Sequence, residues 1–164
     1  MAKTKAKTKV TWWKLIAAIG FCQIAGIIGS VFTSPNIASW YATLQRPAFS
    51  PPNWVFAPVW LSLYTLMGIS LYLVWTSSAK TKAKMPAYYV FAIQLALNAI
   101  WSILFFGLQS PLYGLICIIP LWISILATLI LFYKISKVSA YLLVPYLIWV
   151  TTATALNYSI WVLN

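Results

Sequence analysis

The feature that most constrains this chain is a set of five long apolar stretches, none of which contains a charged residue. They cover residues 15–32, 54–75, 87–108, 112–133 and 140–163. A helix needs about 20 apolar residues to cross the hydrocarbon core of a bilayer. Because nothing in that core can hydrogen-bond an exposed backbone, each stretch is expected to be helical. The pattern predicts an all-α integral membrane bundle of five transmembrane helices, forming one domain over residues 1–164.

The charge composition argues against several classes of function. The chain has 11 Lys and Arg residues and no Asp, Glu or His. Acid–base catalysis near neutral pH, Ser–His–Asp systems and most metal sites depend on the missing side chains. Proton-coupled transport normally uses an ionisable group within the membrane. We therefore expect no metal site and no catalytic acid or base. Cys22 and Cys117 lie in apolar stretches and are expected to be buried thiols rather than a disulfide or a haem ligand.

The basic residues are distributed unevenly between the two sides of the predicted bundle. One side would hold ten of them: Lys3, Lys5, Lys7, Lys9, Lys14, Lys80, Lys82, Lys84, Lys134 and Lys137. The other side would hold only Arg46. Since basic residues stay in the cytoplasm during insertion, the amino terminus is predicted to be cytoplasmic and the carboxyl terminus on the opposite side. The pentapeptide KTKAK, at residues 3–7 and 80–84, is interpreted as charge that directs this topology. Because the charge is confined to the tail and short connections, we expect the lipid bilayer as a partner and no nucleic acid.

The connection at residues 33–53 is longer than the others and differs in composition. It contains several rigid and aromatic residues: Pro35, Pro47, Pro51, Pro52, Trp40, Tyr41 and Phe49. A long ordered connection often carries function, so we predict a stiff lid over the outer end of the bundle. Anchoring of its aromatic rings among lipid headgroups is the alternative.

Three of the predicted helices carry aromatic and polar side chains on one face at membrane depth. At helical spacing these faces comprise Trp60 and Tyr64; Asn98, Trp101 and Phe105; and Trp149, Ala153, Leu156 and Asn157. All three faces reach the middle and outer half of the bundle. Their convergence predicts an aromatic pocket with a few polar groups, which suits a flat apolar ligand. Ordinary helix packing, with the amides as interhelical hydrogen bonders, is the alternative.

Small residues spaced four apart indicate surfaces for close helix approach. The third stretch has Ala92 and Ala96, and the first has Ala25 and Gly29. We predict a homodimer that uses at least one of these two faces.

Three segments resemble the signature regions of a known membrane protein family. They are WYATLQRPAFSPPNWVFAPVWLSLYTLMGISLYLVW, LNAIWSILFF and PYLIWVTTATALNYSIWVLN. The chain is similar in these segments to the TspO/MBR family of tryptophan-rich sensory and translocator proteins, also called peripheral-type benzodiazepine receptors. The resemblance implies a five-helix protein, commonly a homodimer, that binds porphyrins and, in some members, sterols and isoquinolines. No cofactor is required, and porphyrin or haem is the expected ligand.

The resemblance also assigns a set of ligand-binding positions. They fall on Tyr41, Pro51, Phe56, Trp60, Tyr64, Asn98, Trp101, Trp149, Ala153 and Leu156. The chain departs from the family where acidic residues are usual, with Cys117 early in the fourth span and Ala42 and Gln45 in the loop.

Three functions stay open at this point. The first is a porphyrin-binding sensor, carrier or scavenger. The second is an enzyme that degrades protoporphyrin with light or oxygen, with Trp60 and Trp149 as redox-active side chains. The third is a sterol or lipid translocator.

Overall fold

The computed structural model describes residues 10–164, and it confirms the all-α fold with five helices long and apolar enough to cross a membrane. The helices are α1 (Trp12–Ile37), α2 (Trp40–Thr43), α3 (Asn53–Thr76), α4 (Thr81–Ser102), α5 (Pro111–Ile135) and α6 (Lys137–Leu163). The short helix α2 lies in the connection between the first two spans. Residues 1–9, with the first KTKAK copy and four of the lysines counted above, lie outside the described residues.

The five long helices form a closed ring in the order α1, α3, α6, α5, α4, with α4 returning to α1. Because successive spans run in opposite directions, α2 and residues 44–52 lie at one end of the ring, called here the loop end. The connections from α3 to α4 and from α5 to α6 lie at the opposite end. The buried core is largely aliphatic and includes Met67, Ile118 and Leu143. A second, smaller cluster, which is mostly aromatic, lies at the loop end.

The connection predicted at residues 33–53 is partly helical. Helix α1 continues through Pro35 to Ile37, and Trp40–Thr43 form α2, so only residues 44–52 are irregular. Side chains satisfy carbonyls at this helix end, because Asn36 Nδ2 donates to the Phe32 carbonyl at 2.9 Å and Ser39 Oγ donates to the Pro35 carbonyl at 2.9 Å. These bonds lie in the last turns of the helix, where carbonyls lack helical partners.

The last turn of the third span is widened. Residues Ile103–Gly107 form a π-helical turn after α4, and the Leu108 amide donates to the Ile103 carbonyl at 2.8 Å. A π turn places one extra residue in the helix and shifts its register. The adjacent Phe105 and Phe106 in this turn are both buried, and both pack against Trp40 of α2.

Lys84 has a structural role that its place in a KTKAK repeat did not indicate. It is buried, and its Nζ donates to the carbonyls of Trp75 at 3.1 Å and Ser77 at 2.7 Å. These carbonyls belong to the end of α3, where backbone acceptors lack helical partners and a cation is favoured. The lysine therefore caps α3 in addition to any role in topology.

Of the two small-residue faces, the one on α1 is buried and the one on α4 is exposed. Gly29 packs inside the protomer against α4, since a Cβ there would lie 2.9 Å from Ser102 Oγ, and Ala25 is also buried. The α1 face is therefore removed as a candidate for dimer contact. Ala92 and Ala96 on α4 are exposed on the outside of the ring.

Candidate functional site

The loop half of the bundle contains a cavity of about 310 Å³, at the lower end of the range for ligand pockets. It lies between α1, α3, the end of α4 and α6, with α2 above it. Among the described residues, its walls carry no charged side chain. They combine aromatic rings with neutral amides and hydroxyls, as expected for a site that holds a largely apolar ligand.

The structure brings nine of the ten expected ligand-binding residues together in this cavity. They are Tyr41, Phe56, Trp60, Tyr64, Asn98, Trp101, Trp149, Ala153 and Leu156. The tenth, Pro51, lines a polar depression on the surface of the loop instead. The next residue, Pro52, has the backbone angles of polyproline II, with φ −57° and ψ 144°, and α3 begins directly after it.

Asn98 is the centre of a buried hydrogen-bond network at the base of the cavity. The Tyr64 hydroxyl donates to Asn98 Oδ1, and Asn98 Nδ2 donates to the Tyr146 hydroxyl at 2.8 Å. The three side chains come from α3, α4 and α6 and are all at least 95% buried. The amide thus ties three helices together and fixes the tilt of two tyrosine rings.

The aromatic walls are held by ring contacts and by a second amide. Trp60 stacks on Tyr64 with ring centroids 5.5 Å apart, and Trp149 meets Phe56 edge-on at 5.9 Å. Trp101 Nε1 donates to Asn157 Oδ1 at 3.2 Å, and Asn157 Nδ2 donates to the Pro111 carbonyl at 2.7 Å. The indole of Trp101 is therefore held by α6, and α6 is in turn bonded to the start of α5.

An aromatic cluster lines the cavity at the loop end. It consists of Tyr41, Phe105, Phe106, Leu156 and Ile160, with Trp40 and Phe56 packed against it. The loop above is held by the side chain of Asn164, which accepts from the Gln45 amide at 3.0 Å and donates to the Gln45 carbonyl at 3.1 Å. This paired contact attaches the loop to the end of α6. That residues 33–53 act as a lid stays a prediction.

The cavity opens sideways between α1 and α3. Ile27 on α1 and Leu61 on α3 both line the cavity and are exposed on the outside of the ring. Below this opening the two helices are joined, because Gln23 Nε2 donates to the Leu61 carbonyl at 3.2 Å and to Thr65 Oγ1 at 3.0 Å.

The wall formed by α1 was not predicted. It contributes small and polar side chains, among them Gly26, Ser30 and Thr33. An aromatic stripe was the signal used for the other helices, and α1 has none at this depth. Gly26 faces the ring of Tyr64, where a Cβ would lie 2.7 Å from Tyr64 Cδ2. Gly29, for which a dimer surface was predicted, lines the cavity instead.

Cys117 occupies the position where the resemblance predicts an acid. It is buried, and its Sγ donates to the Leu97 carbonyl at 3.6 Å, which joins α5 to α4. This position lies outside the cavity wall. Cys22 is a free buried thiol as well.

The fold and site define a multi-pass integral membrane protein whose five spanning helices surround an uncharged aromatic cavity. The family model described as "TspO/MBR family" matches residues 18–162, and the chain belongs to that family.

The chain is similar to curated relatives from all three domains of life. It is 46% identical to the "Tryptophan-rich protein TspO" of Archaeoglobus fulgidus over 151 residues, covering 92% of this chain and 97% of the relative. It is 37% identical to the human "Translocator protein", covering 89% of each chain. It is also 37% identical to the "Tryptophan-rich sensory protein" of Cereibacter sphaeroides, covering 93% of this chain and 92% of the relative.

Proposed function

We propose that this protein binds a porphyrin in the cavity between its helices and acts as a sensor, carrier or scavenger of tetrapyrroles. The observation that supports the proposal is the uncharged cavity walled by Trp60, Trp101 and Trp149. Large aromatic faces stack on a flat conjugated ring and bury much of its surface. The sideways opening towards the bilayer suits an apolar macrocycle that partitions into lipid.

The proposal is tested by titrating the purified protein, in lipid nanodiscs, with protoporphyrin IX in darkness. Three indoles in the cavity wall should be quenched as the porphyrin binds, so saturable quenching of tryptophan fluorescence is the expected result. The control is free tryptophan mixed with nanodiscs that contain no protein. Quenching of the protein that rises linearly with porphyrin concentration, as in this control, would contradict the proposal. Displacement of bound porphyrin by a sterol would instead favour the function of a sterol translocator.

A porphyrin-degrading enzyme is the second candidate, favoured by the grouping of oxidisable side chains. Trp60 contacts Tyr64 and Tyr146 at 5.5 and 6.2 Å between ring centroids, and both tyrosines share Asn98. The same titration under illumination separates the candidates. A binding protein returns its porphyrin unchanged on extraction, whereas a degrading enzyme consumes it steadily and forms a product.

We further propose that the amino terminus and residues 80–84 face the cytoplasm. Single cysteines at Thr81 and Ala48, in a variant with Cys22 and Cys117 replaced by alanine, should react with an impermeant thiol reagent from opposite sides. Thr81 lies at the start of α4 and Ala48 in the loop, at opposite ends of the ring. Labelling of both positions from one side would contradict a five-span topology.

We also propose a homodimer formed through α4. The exposed Ala92 and Ala96 allow a second α4 to approach closely. Ala96→Phe should therefore shift the detergent-solubilised protein towards monomer in light-scattering measurements. Gly20→Phe is the matched control, since Gly20 is exposed on α1 with no atom within 4 Å of a Cβ. An unchanged oligomer for Ala96→Phe would exclude this interface.

A further inference from the structure

The charges of the described residues are separated by the length of the bundle. Lys14, at the start of α1, and the lysines of the two connections lie at the opposite end. Arg46, in the irregular segment, is the only charged side chain at the loop end among residues 10–164. The cavity lies in the loop half, so Arg46 is the cation nearest to it along the bundle.

Arg46 contacts two residues of the cavity wall. Its Nη1 donates to Asn53 Oδ1 at 2.9 Å, and its guanidinium lies 5.2 Å from the centre of the Tyr41 ring. Tyr41 and Asn53 both line the cavity. Asn53 also lines the polar depression on the loop surface, together with Arg46 and Ser50. The guanidinium thus stands at the boundary between the aromatic cavity and the aqueous surface.

Two hydroxyl groups in this region are buried without a partner. The oxygen atoms of Tyr41 and Ser50 have no hydrogen-bond partner in the part of the chain that the structure describes. Buried hydroxyls are usually satisfied, because leaving one unpaired costs about 1–3 kcal/mol. Tyr41 lines the cavity, whereas Ser50 and Arg46 line the surface depression. With the N–H groups of Arg46 that are not bonded to Asn53, the two hydroxyls offer donors on both sides of this boundary and no negative charge, as binding of an anion requires.

From this arrangement we infer that Arg46, with Tyr41 and Ser50, binds the carboxylate end of a ligand whose apolar ring lies in the cavity. The inference rests on the proposed function and adds a determinant of ligand orientation and specificity. Protoporphyrin IX carries its two carboxylate side chains on one edge of the ring. A carboxylate placed among the uncharged walls would be desolvated without a counter-ion, which is strongly unfavourable. With that edge turned towards the loop end, the carboxylates meet Arg46 at the surface and the ring faces the tryptophans.

The experiment compares protoporphyrin IX with its dimethyl ester, which keeps the ring and removes the charges. Binding is measured in darkness, in nanodiscs of neutral phosphatidylcholine, for the wild type, Arg46→Gln and Lys134→Gln. Lys134→Gln removes one positive charge at the opposite end and serves as the matched control. Only the ratio of variant to wild-type Kd for each ligand is used, so different partitioning of acid and ester into lipid cancels.

Arg46→Gln should raise the Kd of the diacid about tenfold, the effect of losing a partly solvated charge-assisted hydrogen bond. The same change should alter the Kd of the ester less than twofold, and Lys134→Gln should alter neither. Arg46→Lys should recover part of the affinity for the diacid, because it restores the charge without the planar donor geometry.

An equal loss for acid and ester would overturn the inference and assign Arg46 to the fold of the loop. No loss for either ligand would also overturn it. If the wild type binds neither the acid nor the ester, the proposed function itself fails, which is a separate result from a failure at Arg46.

Discussion

Replacing Trp60 or Trp149 with alanine should lower the affinity for protoporphyrin IX by about 1–3 kcal/mol, the usual loss for a well-packed aromatic anchor. The two indoles belong to α3 and α6, on neighbouring sides of the ring, and both line the cavity. Each is half-buried and rests on another aromatic side chain, so each is held in a fixed orientation towards a ligand. The measurement is quenching of the remaining tryptophans on titration with porphyrin, in darkness.

Two other tryptophans provide the controls. Trp122 is also half-buried, and its Nε1 donates to Thr151 Oγ1 at 2.8 Å, but it does not line the cavity. Trp12 is exposed at the start of α1, at the opposite end. Trp122→Ala should reduce thermal stability and leave the porphyrin Kd of the folded protein unchanged, and Trp12→Ala should change neither. Equal losses of affinity in all four variants would indicate general destabilisation, whereas unchanged affinity at Trp60 and Trp149 would place the ligand elsewhere.

The sequence predicted most of the fold because the bilayer restricts what an uncharged apolar stretch can do. All five spans are helices in the structure, with ends close to those predicted. The largest differences are the start of α4, at Thr81 and so six residues before the predicted start at 87, and the end of α1, which passes Pro35 to reach Ile37, five residues beyond the predicted end at 32. A proline in the sequence reliably indicates a missing backbone N–H donor. The bonds from the side chains of Asn36 and Ser39 to nearby carbonyls depend on local geometry, which residue spacing does not reveal.

The candidate site was predictable where its residues are large and aromatic. Trp60, Tyr64, Asn98 and Trp149 share helix faces at known depths, and a matching stripe is visible on each helix. The α1 wall was not predictable in this way, because its small residues contribute to the cavity by having no large side chain to fill it. The same small residues are typical of an intermolecular contact, and only the packing of Gly29 against Ser102 shows that the contact is within one chain.

The contact between α1 and α3 determines whether the cavity exists, because these two helices form its open side. Gln23 bonds them below the opening, and one turn further from the loop end Gly68 lies against the backbone of Ile19. A Cβ at Gly68 would lie 2.9 Å from the Ile19 amide nitrogen. Backbone atoms cannot rotate away as a flexible side chain can, so any larger residue at this position must separate the two helices.

Gly68→Leu is therefore expected to destabilise the protein by about 3 kcal/mol, at the upper end of the usual cost of overpacking. Because a separated α1 displaces Gln23 and Gly26 from the cavity wall, porphyrin affinity should fall together with stability. Gly20→Leu makes the same substitution one residue from Ile19, but a Cβ at Gly20 meets no atom within 4 Å, and its effect should stay within about 0.5 kcal/mol. Thermal unfolding of both variants in the same nanodiscs, read by tryptophan fluorescence, measures the difference. Similar melting temperatures for the two variants would show that α1 and α3 do not approach at Gly68, and the cavity would then need a different wall.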